Sequence, residues 1–179
     1  VELWLAGGIG RTAASPVARE IAKSWIGPSV AFLIHSYHGH IAANSVYLLI
    51  GGSIVEPYLE PIEYVTAIIL GGWFTTVVPS LFTAGGVGLS GVTNQLLTLA
   101  ALLIFYATKG KTRTVEVLKR LGLISVFSII LLLSVIAVPE GSSVAGHILG
   151  IIVGIGLFAI SQLKGSLSLE EVSSSDQEV

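Results

Sequence analysis

The chain has no cysteine and no methionine, and little charge: Asp, Glu, Lys and Arg make up 11% of its 179 residues. Without cysteine there is no disulfide, thiolate metal ligand, iron–sulfur cluster or cysteine nucleophile, so any covalent catalysis must use oxygen or nitrogen. Soluble domains carry about 25% charged residues and disordered chains are rich in charge, so the deficit excludes both classes. A net charge of −2 offers no basic surface for nucleic acid. The chain opens on Val1 and contains no methionine, which predicts a processed or shortened N-terminus. Val1–Gly10 is too short for a signal peptide and no basic region precedes it, so targeting falls to the chain's own spans.

What is present is apolar. Hydrophobic residues make up 53%, with 21 glycines besides, and the mean hydropathy is +0.86. A membrane span needs about 20 predominantly apolar residues. Five stretches qualify, roughly His40–Val55, Ile62–Phe82, Leu89–Ala107, Leu121–Val138 and Val144–Leu163. None alternates polar with apolar as a barrel strand does, so each must satisfy its backbone in lipid as a helix. The expected fold is all-α, a polytopic bundle in a lipid bilayer. Residues 1–34 mix Trp4, Leu5 and Trp25 with Arg11, Pro16, Arg19, Glu20, Lys23 and Pro28, and predict an interfacial first loop. Residues 35–164 form the membrane core, and 165–179, rich in Ser and Glu, predict a disordered tail.

Lys109, Lys111, Arg113, Lys119 and Arg120 crowd one connection against a lone Glu116, which by the positive-inside rule lies in the cytoplasm. Alternation then puts the tail inside and the segments preceding His40, Ser90 and His147 outside. Those three residues fall near the starts of three different spans, at one shallow depth beneath the outer face.

Polar residues within spans are costly, and mark function with a partner expected. Ser90, at the start of a helix, has free backbone N–H groups beside it. His147 is the base that a serine hydroxyl needs to become a nucleophile. His40 and Asn44, four apart, share a helix face and both donate hydrogen bonds that an oxyanion would accept. Gly146, Gly150 and Gly154 repeat every four residues, and Gly88 and Gly91 flank Ser90; small residues so placed let two helices approach closely. Each feature also has a plainer reading. Serine in a span bonds back to its own helix, a glycine stripe packs, and His147, His40 and Asn44 bridge helices. His35 and His38 read as structural or interfacial, and a metal site of His35, His38 and His40 lacks a neighbouring carboxylate.

The order of these motifs resembles the rhomboid intramembrane serine proteases. His35 and His40-Ile-Ala-Ala-Asn44 look like the histidine-rich opening of that family's second span, and Gly51-Gly52-Ser53-Ile54-Val55-Glu56 its end. Gly88-Leu89-Ser90-Gly91 matches the Gly-x-Ser-Gly motif of the fourth span, and His147 with Gly150 and Gly154 the pattern of the sixth. The resemblance implies a six-helix core of which these spans are the second to sixth, with the first upstream of Val1. It implies Ser90 as nucleophile and His147 as base and acid, a dyad without a third acidic member. It further implies an oxyanion hole of His40, Asn44 and the Ser90 N–H, with no cofactor or metal. Two positions depart from the pattern. Many members carry, four residues after the serine, a tyrosine stacked on the histidine where this chain has Asn94, and the first loop's Trp-Arg has only Trp25-Ile26.

The expected activity is cleavage of transmembrane protein substrates within or beside the bilayer of the cell membrane. The site would open to the outer face past Ser36, Tyr37 and His38, and substrate would arrive laterally past Ile62–Phe82 or the fifth span. An inactive relative that binds transmembrane segments is the first alternative. A channel or transporter is the second, although it would spread polar residues through the full depth of several spans.

Overall fold

The computed structural model describes residues 29, 33, 35, 38–82, 89–108, 114–137 and 143–163. The expected interfacial loop, apart from Ser29 and Leu33, and the expected tail lie outside them, as do Ser36, Tyr37, Gly88, Lys109, Lys111 and Arg113. Among the described residues five long α-helices follow one another: α1 His38–Val55, α2 Pro61–Ser80, α3 Ser90–Thr108, α4 Thr114–Ile136 and α5 Val144–Leu163, with a short 3-10 turn Glu56–Tyr58 between the first two. No strand occurs among the described residues.

Four of the helices, α2 to α5, are long and apolar enough to cross a membrane. α1 falls short of that measure because its first turns carry His38, His40 and Asn44. Of these, His40 and Asn44 are buried within the protein rather than turned to lipid. Large apolar side chains instead cover the outside, among them Ile62, Ile69, Leu70, Leu132 and Leu133, a surface suited to hydrocarbon and not to water.

Local chemistry sets the ends of the elements. Pro57 and Pro61 bracket the turn after α1, and Pro61 takes the first position of α2, where a missing N–H costs nothing. There the Glu60 N–H donates to the Glu63 carboxylate at 3.3 Å. At the far end of α3, Arg120 of α4 donates to the Ala107 carbonyl at 3.1 Å, placing a cation on a helix C-terminus.

α3 is the axis. Gly91 through Ala100 are buried without interruption, and 61% of its apolar window is buried against 6% of that of α4, so protein surrounds the one and lipid the other. The tightest seam runs between α3 and α5. A Cβ on Gly150 would meet the Gly91 carbonyl oxygen and lie 3.0 Å from the Gly91 carbonyl carbon; one on Gly154 would lie 2.5 Å from the Gln95 carbonyl oxygen and 2.8 Å from Thr98 Cβ. Gly146 belongs to the same stripe but faces α2, where a Cβ would lie 2.8 Å from the Thr75 carbonyl oxygen. Lipid tails supply no hydrophobic drive between helices, so this close backbone approach, with its dispersion contacts, holds the pair. Deeper in the bundle Gln95 Nε2 donates to the Ala67 carbonyl at 2.9 Å and ties α2 to α3.

A methyl group on the seam presses on backbone, which cannot move aside. Gly150→Ala and Gly154→Ala are therefore expected to lower the unfolding temperature in detergent, each through about 1–3 kcal/mol of strain. Gly156→Ala, with nothing within 4 Å of the added carbon, should keep or raise that temperature, by up to about 1 kcal/mol of helix propensity. Identical melting of the three variants would show that the seam is loose.

Candidate active site

Ser90 is the first residue of α3, His147 stands in the first turn of α5, and His40 and Asn44 lie in the first two turns of α1. All four line one cavity of about 300 Å³. Its remaining wall includes Thr93 and Asn94 of α3, and Ile130, Leu133, Ser134 and Ala137 of α4. None of the described residues of α2 lines it. A larger cavity of about 570 Å³ between α2 and α5 is walled mainly by apolar side chains such as Leu70, Phe74 and Leu157, and includes none of the candidate residues. Chemistry, not volume, picks out the smaller one.

The start of α3 is pinned from two sides. The Leu89 carbonyl accepts from the Thr93 N–H at 2.9 Å and so opens the helix, while the Leu89 N–H donates to His35 Nε2 at 3.4 Å. His35 is buried, and burial holds its imidazole below the usual histidine range, offset in part by the nearby Leu33 carbonyl. It is therefore neutral at neutral pH, as an acceptor at Nε2 must be. Its ring stands edge-on to that of His40, with centroids 5.1 Å apart. This gives His35 a structural part: it links the segment before α1 to the residue that precedes Ser90.

His147 is 2% exposed, and its Nδ1 pairs with the backbone carbonyl of Ser134 on α4. A carbonyl only accepts, so Nδ1 carries the proton, and in the neutral ring Nε2 is left with a lone pair. That Nε2 is buried and has no hydrogen-bond partner among the described residues. The hydrogen bond expected between Ser90 and His147 is thus not closed here, although both line the same cavity. Asn44 Nδ2 is likewise buried without a partner, a donor with nothing to donate to. Two unsatisfied polar atoms at one cavity, each costing about 1–3 kcal/mol, mark a place that a polar reactant would complete.

Sequence reasoning missed Ser134. Its signal was present, a serine inside the apolar run Ile129-Ile130-Leu131-Leu132-Leu133-Ser134-Val135-Ile136, where a polar residue asks for a reason. Ser134 Oγ donates to the Leu131 carbonyl at 2.7 Å and accepts from Asn94 Nδ2 at 3.0 Å. Asn94 is therefore bonded across to α4. Among the described residues no cluster of three His, Asp or Glu side chains is arranged to hold a metal ion.

The chain matches the family model of the Rhomboid domain over residues 22–162. No curated protein and no solved structure matches it. The match spans all the described helices and contains His40, Asn44, Ser90 and His147, so this chain belongs to the rhomboid family, generally intramembrane serine proteases, and is a multi-pass membrane protein.

Proposed function

We propose that this chain is an intramembrane serine endopeptidase that cleaves transmembrane protein substrates within or next to the bilayer by a Ser90–His147 dyad. The observation that carries the reading is the state of His147: Nδ1 is committed to the Ser134 carbonyl, and the free Nε2 lies on a cavity shared with Ser90, His40 and Asn44.

Ser90 Oγ attacks the substrate carbonyl as its proton passes to His147 Nε2. The tetrahedral oxyanion is held by Asn44 Nδ2, His40 and the Ser90 N–H, which at the first position of α3 has no intrahelical partner. His147 then returns the proton to the departing amine. Water repeats the sequence on the acyl-enzyme, so the cavity must be wet during turnover. Gly88 and Gly91 flank the nucleophile, and Gly91, Gly150 and Gly154 keep its helix close to that of the base. The positive-inside rule supports a site opening to the outer face of the cell membrane and a cytoplasmic C-terminus. Residues 1–34 serve as the interfacial loop, 35–164 as the protease core and 165–179 as the tail.

Substrate arrives from the side. The cavity lies between α1 and α4, which make almost no contact with each other among the described residues. A helical substrate must unwind locally there, because its carbonyls are otherwise occupied by its own N–H groups.

The open Ser90–His147 pair favours a second reading, an inactive relative that binds membrane segments without cutting them. Catalytic hydrogen bonds are often long before substrate binds, so the two readings separate by reactivity. A serine-directed fluorophosphonate is expected to label wild type and not Ser90→Ala; no labelling of wild type supports the inactive relative.

In proteoliposomes with a model transmembrane substrate, Ser90→Ala and His147→Ala are each expected to reduce cleavage to background. Undiminished cutting by the Ser90→Ala protein would sink the mechanism. Asn44→Ala is expected to lower kcat by roughly 10²–10³-fold, the usual loss for an oxyanion donor, with KM little changed. A rise in KM alone would instead assign Asn44 to substrate binding.

A further inference from the structure

Three helices meet at Ser134. Asn94 of α3, 3% exposed, donates from Nδ2 to Ser134 Oγ at 3.0 Å. The carbonyl of the same Ser134 accepts the Nδ1–H of His147 on α5. Ser134 lies in the last turn of α4, where carbonyls run out of intrahelical partners. The Leu133 carbonyl is still taken by the Ala137 N–H at 2.8 Å, whereas the Ser134 carbonyl turns to the imidazole. The group that sets the tautomer of His147 thus belongs to the helix least held by protein, with 6% of its apolar window buried. Something must keep that helix end at the right height. Asn94 is placed to do so: it stands four residues after Ser90 on the same face of α3, and its Cβ lies 3.2 Å from where a Cβ on Gly150 would be. One end of the Asn94 side chain is fixed by the α3–α5 seam and the other grips α4.

We propose that Asn94 is a positioning residue for the base: through Ser134 it fixes the end of α4 against α3, so that the Ser134 carbonyl holds His147 with Nε2 aimed into the cavity beside Ser90. This rests on the Ser90–His147 dyad reading. Asn94 itself touches no reacting atom. Losing its grip lets the Ser134 carbonyl drift from the imidazole, lets the ring turn, and lets the proton move from Nδ1 to Nε2, which would disable the base.

The test uses the whole chain in proteoliposomes and compares wild type with Asn94→Ala, Ser134→Ala and the double variant. Ser134→Ala keeps the carbonyl and removes only the hydroxyl that Asn94 holds. Each single variant is expected to lower kcat by about 10- to 100-fold, the scale of a misplaced catalytic group, with KM unchanged. The double variant should be no worse than either single one, because both break the same link. ¹⁵N shifts of the His147 ring, assigned by difference from His147→Ala, should report Nδ1–H in wild type and a mixture of tautomers in Asn94→Ala. A purely structural role would lower stability without moving that ratio. Unchanged kcat, additive losses, or a fixed Nδ1–H signal in the variants would overturn the proposal while leaving an active wild type and the dyad standing. If Asn94→Ala fails to fold, Ser134→Ala alone decides by the same readouts. A wild type that neither cleaves nor takes up a fluorophosphonate would overturn the dyad and this proposal together.

Discussion

Between Gly150 and Gly91 there is no room for a methyl group, and the relative heights of Ser90 and His147 follow from that contact. Gly91 follows Ser90 directly, and Gly150 comes three residues after His147. Pressing those two glycines together puts the start of α3 beside the first turn of α5, whatever the surrounding side chains do. In water the same alignment would be overdetermined by burial of a large apolar core. In lipid, where an apolar side chain gains little by leaving hydrocarbon for protein, backbone shape takes over that task. The stripe continues at Gly154 over Gln95 and Thr98, so the seam is long enough to fix rotation as well as distance.

On this frame the polar groups form a small and strained set. Inside a membrane each buried donor or acceptor needs a partner from protein, and most here have one: Gln95 Nε2 takes the Ala67 carbonyl, Asn94 takes Ser134, and His147 Nδ1 takes the Ser134 backbone. Asn44 Nδ2 and His147 Nε2, both on the cavity wall, do not. His35 Nδ1, Gln95 Oε1, Thr98 Oγ1 and Gln162 Nε2 are also buried without a partner among the described residues, but none of those residues lines the cavity. Two of the side chains that lower the apolarity of α1, those of His40 and Asn44, are buried on the cavity wall and away from lipid.

Much of this was legible in the residues. The positions of the helices follow from apolar runs long enough to span and from prolines and glycines that end them, and four of those runs meet the span measure in the folded chain. His40, Asn44, Ser90 and His147 stand out as costly residues in cheap surroundings, and their convergence on one cavity agrees with their shared depth in the sequence. What was not legible is carried by backbone. Every residue has a carbonyl, so nothing marks that of Ser134 as the acceptor for an imidazole until the end of α4 is seen beside α5. Asn94 was visible only as a departure from a tyrosine position, because the partner that gives it meaning is forty residues away on another helix. The sparse contact between α1 and α4 among the described residues was also hidden: hydropathy identifies which helices exist but not which neighbours fail to touch.

In the proposed dyad, the lack of an acidic third member is itself a consequence of the solvent. In a soluble serine hydrolase a buried carboxylate orients the histidine and stabilises the imidazolium that forms. At this depth a carboxylate would need its own desolvation offset, and among the described residues the cavity wall carries no Lys or Arg to provide it. A backbone carbonyl fixes the same tautomer with a dipole instead of a charge, and at a helix end it comes without breaking an intrahelical bond. On the proposed mechanism the dipole does less for the imidazolium than a full charge would, so more of the barrier falls to the oxyanion donors. The two unpaired groups on the wall, His147 Nε2 and Asn44 Nδ2, are the ones to which that proposal gives the work.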